Sequence, residues 1–317
     1  MRILPVEPAY RLAAQPAQSR WLVEDLWGEG AVGIVGGEPK CCKSFLALDL
    51  AVAIASGRPA LRRFSVPQPG RVLLYAAEDA QHIVRARLEG ICQAAGCELE
   101  ALDVQVITAE TLRLDLERDR KLLEETVAAL QPRLLILDPF VRLHRIDENS
   151  SGEVAPLLAY LRELQRRHAL SVLLVHHAKK SSGNARAGQA LRGSSEFHAW
   201  GDSNLYLRRS PAGHLTLSIE HRAAASPPAL AVELQQHGAA LSLGVLQRPD
   251  EPLATPVCLD ERITAALKAA GRPLPLGELR GLCRVRHATL HDRLRALTGA
   301  GRLLHDAAGY SLAPPSP

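Results

Sequence analysis

Residues Ala31–Gly57 read AVGIVGGEPKCCKSFLALDLAVAIASG: a β-like apolar run, a glycine-rich turn, and a helix too apolar on all sides to face water. A strand, turn and helix of this kind point to an α/β sheet that holds an anion at the strand end. The turn matches G-x-x-x-x-G-K-[ST] at every position except the second glycine, which is Cys42. The expected contacts of a nucleoside triphosphate are therefore Gly36, Gly37, Glu38, Pro39, Lys40, Cys41, Cys42, Lys43, Ser44 and Phe45. Backbone N–H groups of such a loop converge on phosphate oxygens at the positive end of the helix dipole. Lys43 would reach the β and γ phosphates. Ser44 would place its hydroxyl on Mg²⁺, which takes few protein ligands and keeps most of its waters. An ordinary tight turn followed by a lysine is the alternative, and the flanking strand and buried helix weigh against it. Cys42 puts a side chain where glycine would let the backbone close on the phosphates, a departure that bears on hydrolysis more than on binding.

Downstream, apolar runs of strand length at Arg71–Ala77, Val104–Thr108, Leu134–Leu137 and Val172–Val175 alternate with helical patterns at His82–Ala95, Glu117–Gln131 and Glu153–His168. Continuous apolar strands between amphipathic helices predict a parallel sheet covered on both faces. Ligands in such sheets bind beyond the carboxyl ends of the strands, so the polar residue closing each run is a site candidate. Asp138, after LLIL, stands where a Walker B carboxylate would hold Mg²⁺. Glu78 and Asp79 close LLYAA; Glu78 is the expected base for the attacking water and Asp79 the expected N-cap of the next helix. His176 and His177 close LLV and are placed to sense the γ-phosphate, whereas a metal pair is disfavoured because adjacent strand residues point to opposite faces.

Two polar, basic segments follow strand ends, RLHRIDENSSG from Arg142 and AKKSSGNARAGQALRG from Ala178. Their cations Arg142, Arg145, Lys179, Lys180, Arg186 and Arg192 would track a nucleic-acid backbone, or simply be solvated. With no aromatics between them, phosphate contact is expected without base stacking. Residues 203–246 read as β hairpins, an antiparallel extension of the sheet. Residues 1–20 form an irregular lead-in, and Trp21 and Trp27 begin a packing segment in which core burial is favoured over stacking on adenine.

A Pro-containing linker, 247–258, separates this unit, 21–246, from a tail over 259–313 whose pattern is three helices and a short hairpin, that of a winged helix-turn-helix. The tail holds nine Lys and Arg against five Asp and Glu, which accounts for the whole formal net charge of +4. His287, Thr289, His291, Arg293 and Arg295 on its third helix would read or touch DNA; protein contact is the other use of such a domain. The six cysteines show no paired C-x-x-C spacing, so neither a zinc site nor a disulfide framework is indicated. No window approaches the roughly 18 uninterrupted apolar residues of a membrane span and no signal peptide is apparent, so the cytoplasm is the expected location, with no membrane partner.

The ordered set of phosphate loop, strand-end glutamate, LLILDP, DENSSG, LLVHHAKK and LRGSSEFHAWGDSNLYL resembles the RecA-like ATPases related to plasmid RepA helicases. That resemblance covers roughly Trp21–Leu246 and implies a RecA-like P-loop core using ATP and Mg²⁺, assembled as a ring, commonly a hexamer, with single-stranded DNA in its channel. It also implies that Lys43 and Ser44 bind the triphosphate and Mg²⁺, Glu78 is the catalytic carboxylate, Asp138 the Walker B residue, and His177 the position coupling nucleotide state to the following loop. Arg222 best matches the basic residue that reaches a neighbouring subunit's γ-phosphate; Glu220 stands where a second basic residue is often seen, which leaves Arg222 alone unless Arg208 or Arg209 helps. The first expectation is an oligomeric Mg-dependent ATPase acting on DNA, a replicative or mobile-element helicase. The second is an ATP-dependent assembly switch or DNA-binding regulator. A dinucleotide enzyme is remote, since no G-x-G-x-x-G follows a strand.

Overall fold

In the computed structural model, the strands expected from the apolar runs pair into one nine-stranded sheet of order β11-β10-β9-β8-β3-β7-β6-β4-β5. The structure describes residues 4, 6–12, 20–177, 196–210, 213–238, 240–246, 259–283, 287–306 and 309–313. The chain divides into two units, 1–247 and 248–317.

The first unit begins with the short strands β1 (Trp21–Val23) and β2 (Trp27–Gly28), paired with each other. It continues through β3 (Val32–Gly37), α1 (Lys43–Ser56), β4 (Val72–Ala76), α2 (Gln81–Ala95), β5 (Val104–Val106), α3 (Glu117–Leu130), β6 (Leu134–Asp138), α4 (Ser151–His168) and β7 (Ser171–His177). Then come α5 (Glu196–Trp200), β8 (Ser203–Arg209), β9 (Leu215–His221), β10 (Leu230–His237) and β11 (Ala240–Val245). Strands β8, β3, β7, β6, β4 and β5 run parallel. From β8 outward, β9, β10 and β11 turn antiparallel.

Period-two alternation splits the central strands between two cores. Val35, Leu74, Ile136, Leu173 and Val175 pack with α1 and α2 on one face. Val32, Ile34, Leu73, Leu135, Leu137, Val172 and Leu174 pack on the other, against Leu123 and Val127 of α3 and Leu157, Leu161 and Leu164 of α4. Helix α1 is buried along most of its length, as its all-round apolarity required. Gly33 lets β3 and β8 meet, because a Cβ there would lie 1.7 Å from the Ser203 carbonyl oxygen.

Trp27 is buried in the α1 core and Trp21 sets its ring edge-on to His221 at 4.9 Å, so both are packing residues. Helix α5 was not legible from the sequence. Asp79 is also a correction: the N-cap of α2 is Ala80, with no side-chain cap hydrogen bond. Arg87, two turns along that helix, takes the Asp79 carboxylate in a bidentate pair.

The second unit contains α6 (Leu259–Ala270), α7 (Leu276–Cys283), α8 (His287–Gly299) and the antiparallel pair β12 (Leu303–Asp306) and β13 (Gly309–Leu312). Its core holds Ile263, Leu267, Leu279, Leu290, Leu294 and Leu303. Among the described residues no helix is long and apolar enough to cross a membrane.

Candidate nucleotide site

The phosphate loop leaves β3 at Gly37, where a Cβ would lie 2.4 Å from the Leu207 carbonyl oxygen and 2.7 Å from Cys41 Sγ. Only hydrogen fits between the loop and β8. Lys40 and Cys42 adopt left-handed backbone conformations, with φ of 65° and 64°, which curl the chain so that α1 starts at Lys43. Cys42 is the helix N-cap and makes no side-chain cap hydrogen bond. The first N–H groups of α1 therefore face the cleft with no intrahelical acceptor, the arrangement that receives an anion.

Inside the loop, Cys41 is buried and its thiol donates to the Glu38 carbonyl oxygen at 2.8 Å. Lys43 Nζ donates to the same oxygen at 2.8 Å. Burial pushes the Lys43 ammonium below the usual lysine range, against the attraction of Asp138 and Glu78. A cation held to one neutral carbonyl and partly desolvated is a ready partner for phosphate.

A cleft of about 290 Å³ opens over this loop, lined by Lys40 to Phe45 together with Glu78, Asp79, Arg87, Asp138, Pro139, Val175 and His177. The strand-end residues arrive together because the sheet is parallel: Ala76 is level with Asp138 in the β4–β6 pairing and His177 with Gly37 in the β3–β7 pairing. Burial raises the Asp138 carboxyl to about 6; the Ser44 hydroxyl, which donates to it, opposes the shift, and the charges of Asp79 and Glu78 add to it. A buried carboxylate beside a hydroxyl, and repelled by two more acids, fits a divalent cation. His177 is half-buried, and burial together with Lys43 keeps its imidazole neutral to below the usual range.

Glu78 lies in the cleft, and Arg142 Nε donates to its Oε1 at 2.8 Å. Arg142, expected on a DNA-tracking loop, thus reaches back to the expected catalytic carboxylate. Arg145 is exposed. Lys179, Lys180, Arg186 and Arg192 lie outside the described residues. Arg222 follows β9 at the opposite edge of the sheet, with Nη1 3.2 Å from Asp202 Oδ1, so within its own chain it does not reach the cleft. In the second unit Arg293 binds both oxygens of Asp260, fastening α8 to α6, while Arg295 is exposed.

Arg87 is not among the residues expected from the sequence, and Arg209, expected only as a possible helper of Arg222, meets the phosphate loop instead. Arg87 lies over the Phe45 ring, 5.2 Å from its centroid, where its pairing with Asp79 holds it. Arg209 Nη2 approaches the Lys40 carbonyl oxygen at 3.4 Å and supports the loop from β8. The eight-residue step from Asp79 to Arg87 along a helix is the signal for the first; nothing local marks Arg209 as a partner of the phosphate loop.

A family model described as an AAA domain matches residues 2–183, more than half of the chain. Among solved structures, the RadB recombinase superposes with a TM-score of 0.50 at 17% identity, over 69% of this chain and 92% of the recombinase. A DnaB-like replicative helicase, whose structure is described with its interactions with primase, gives 0.53 at 12% identity. That match covers 68% of this chain but 57% of the helicase. A further ATPase domain gives 0.51 at 13% identity, over 64% of this chain and 81% of that domain. At such identities the likeness is one of fold, and the fold is RecA-like.

Proposed function

The chain belongs to the AAA domain family and is a RecA-like P-loop ATPase, and from that premise we propose that it is an oligomeric, Mg-dependent ATPase acting on DNA, a helicase or translocase of the plasmid RepA kind. The observation that carries this reading is the meeting of Lys43, Ser44, Asp138, Glu78 and His177 in one cleft at the carboxyl edge of the sheet.

In this reading the N–H groups at the start of α1 and the Lys43 ammonium hold the β and γ phosphates. Ser44 and Asp138 would hold Mg²⁺, which when bound offsets charge on the transferring phosphoryl group. Glu78 orients a water and takes its proton as that water attacks the γ-phosphorus and the bond to the bridging oxygen breaks, releasing ADP. The Arg142 pairing must loosen for Glu78 to do so, since the oxygen that already accepts from the guanidinium has to accept from the water instead. His177, neutral and beside Lys43, reports the γ-phosphate to the end of β7. The plane formed by Phe45 and Arg87 borders the same cleft and offers a face for the base. Arg222 acts across a subunit boundary on the neighbour's γ-phosphate, a kind of contact that contributes about 10³–10⁵ in rate elsewhere. The RecA-like unit, a linker and a winged-helix tail, with Arg145 and the cations of the segment from Ala178 facing single-stranded DNA in a ring, complete the proposal.

A second reading, an ATP-dependent assembly switch, is favoured by one feature: Glu78 is already occupied by Arg142. The test is ATP turnover with and without single-stranded DNA, alongside particle mass with ATP bound. Stimulated turnover in a ring-sized particle supports the motor. Tight ATP binding and assembly with negligible, unstimulated turnover supports the switch.

A further inference from the structure

Behind the cleft, on the face away from α1, lies a second cluster of ionisable groups that includes His176, expected from the sequence to sense the γ-phosphate with His177 but buried against Phe197 and absent from the cleft lining. His144, Glu148 and His176 expose only 2%, 13% and 1% of their side chains. Glu148 Oε1 lies 3.4 Å from His144 Nε2 and 4.0 Å from His176 Nδ1. Aromatic rings pack against both imidazoles. The His176 ring stacks on Phe197 with centroids 4.2 Å apart, and Phe140 packs against His144 at 4.5 Å and Phe197 at 5.5 Å.

A carboxylate so placed is retained only where neighbouring N–H groups or a positive charge offset its desolvation. Here both flanking imidazoles come from different parts of the fold. His144 belongs to the segment that follows Asp138, and His176 to β7, whose backbone is in register with the phosphate loop, His176 level with Gly36 and His177 with Gly37. The segment 139–150 also carries Arg142, bound to Glu78, and the exposed Arg145. One packed node thus connects the end of β7 and the segment after Asp138, both of which border the cleft, with the exposed Arg145. Close-packed clusters move between discrete arrangements rather than deforming smoothly, so a shift of this segment would be felt at β7 and at Glu78 together.

We propose that Glu148 is a positioning residue which, held between His144 and His176, ties the segment 139–150 to the end of β7 and so couples contact with nucleic acid to turnover at the nucleotide site. This rests on the DNA-acting reading above, and the experiment separates the two. Glu148→Gln keeps the shape and removes the charge; Glu148→Ala removes both. For each variant and the unaltered chain, affinity for a fluorescent ATP analogue, affinity for an oligo(dT), and turnover with and without that oligo(dT) are measured. Both affinities and the unstimulated turnover are expected to stay within about twofold, while stimulation by oligo(dT) falls by about fivefold or more, the lower end of coupling between sites. A merely structural role would instead lower ATP affinity and the unfolding midpoint along with stimulation, and that pattern overturns the proposal. Unchanged stimulation in Glu148→Gln overturns it too, and Glu148→Gln alone carries the test where Glu148→Ala does not fold. An unaltered chain that hydrolyses ATP without any response to oligo(dT) removes the DNA-acting reading itself, and this inference with it.

Discussion

Cys42 shows how much a single side chain settles in this protein. Its φ of 64° is a conformation that costs an L-residue about 1–2 kcal/mol and glycine almost nothing. Cys42→Gly is therefore expected to stabilise the chain by about 1 kcal/mol in urea unfolding, and to raise turnover if closer approach to the phosphates limits it. An unchanged or lower midpoint would show that the thiol contributes packing that offsets the strain. Asp138 presents the opposite case, a group that stability would discard. Its folded carboxyl titrates near 6, above the ordinary 3.8, so the folded chain holds a proton that the unfolded chain releases between those values. Stability without metal should fall as pH rises from about 4 through about 6, by up to about 3 kcal/mol for this group. Asp138→Asn should recover about 1–3 kcal/mol of that at pH 7.5, lose the gain below pH 4, and abolish Mg-dependent turnover. Equal midpoints for both proteins at pH 7.5 would mean that the carboxylate is better solvated than its burial indicates.

The elements meet where side chains are missing. Strands β3 and β8 approach so closely at Gly33 that a Cβ would overlap the Ser203 carbonyl oxygen at 1.7 Å. Gly33→Ala should cost about 3 kcal/mol or more, because the clash is with backbone that the sheet holds in place. Thermal unfolding would check this, and a loss under 1 kcal/mol would mean that the β3–β8 seam yields. The alternation of Leu134 and Ile136 with Leu135 and Leu137 between the two cores made β6 readable from its apolar run. Helix α5 was not readable, because its five residues hold too few turns to show a period, and Phe197 is fixed by contact with Phe140 and His176 from distant parts of the chain. Asp79, expected as a cap, differs for a related reason. A cap is a local contact, whereas its partner Arg87 lies two turns away along α2.

The proposed sharing of the site between subunits turns on Arg222, which sits at the sheet edge opposite the cleft. If the site is shared between subunits, mixing Arg222→Ala chains with Lys43→Ala chains should restore part of the activity that each lacks, since some interfaces then pair an intact loop with an intact arginine. Turnover across a series of mixing ratios measures this, and no rescue at any ratio argues for a site complete within one chain. The two units permit a second test. If the tail is the part that binds duplex DNA, a chain ending at Gln247 should retain ATP affinity and lose duplex binding; unchanged duplex binding would place that contact in the first unit.

What could be read from residues alone was whatever repeats locally. The phosphate loop, the strand-end carboxylates Glu78 and Asp138 and the alternation of strands with helices all depend on backbone period and short-range chemistry, so the fold class and most of the cleft were legible. What required the tertiary structure was every pairing between side chains far apart in sequence. Arg142 on Glu78, Arg293 on Asp260 and Glu148 between two imidazoles were each invisible, because a charged residue in a polar segment has the same appearance whether it meets solvent, nucleic acid or a carboxylate. Only the packing of separate strands and loops against one another selects its partner, and that choice depends on distances that no local pattern encodes.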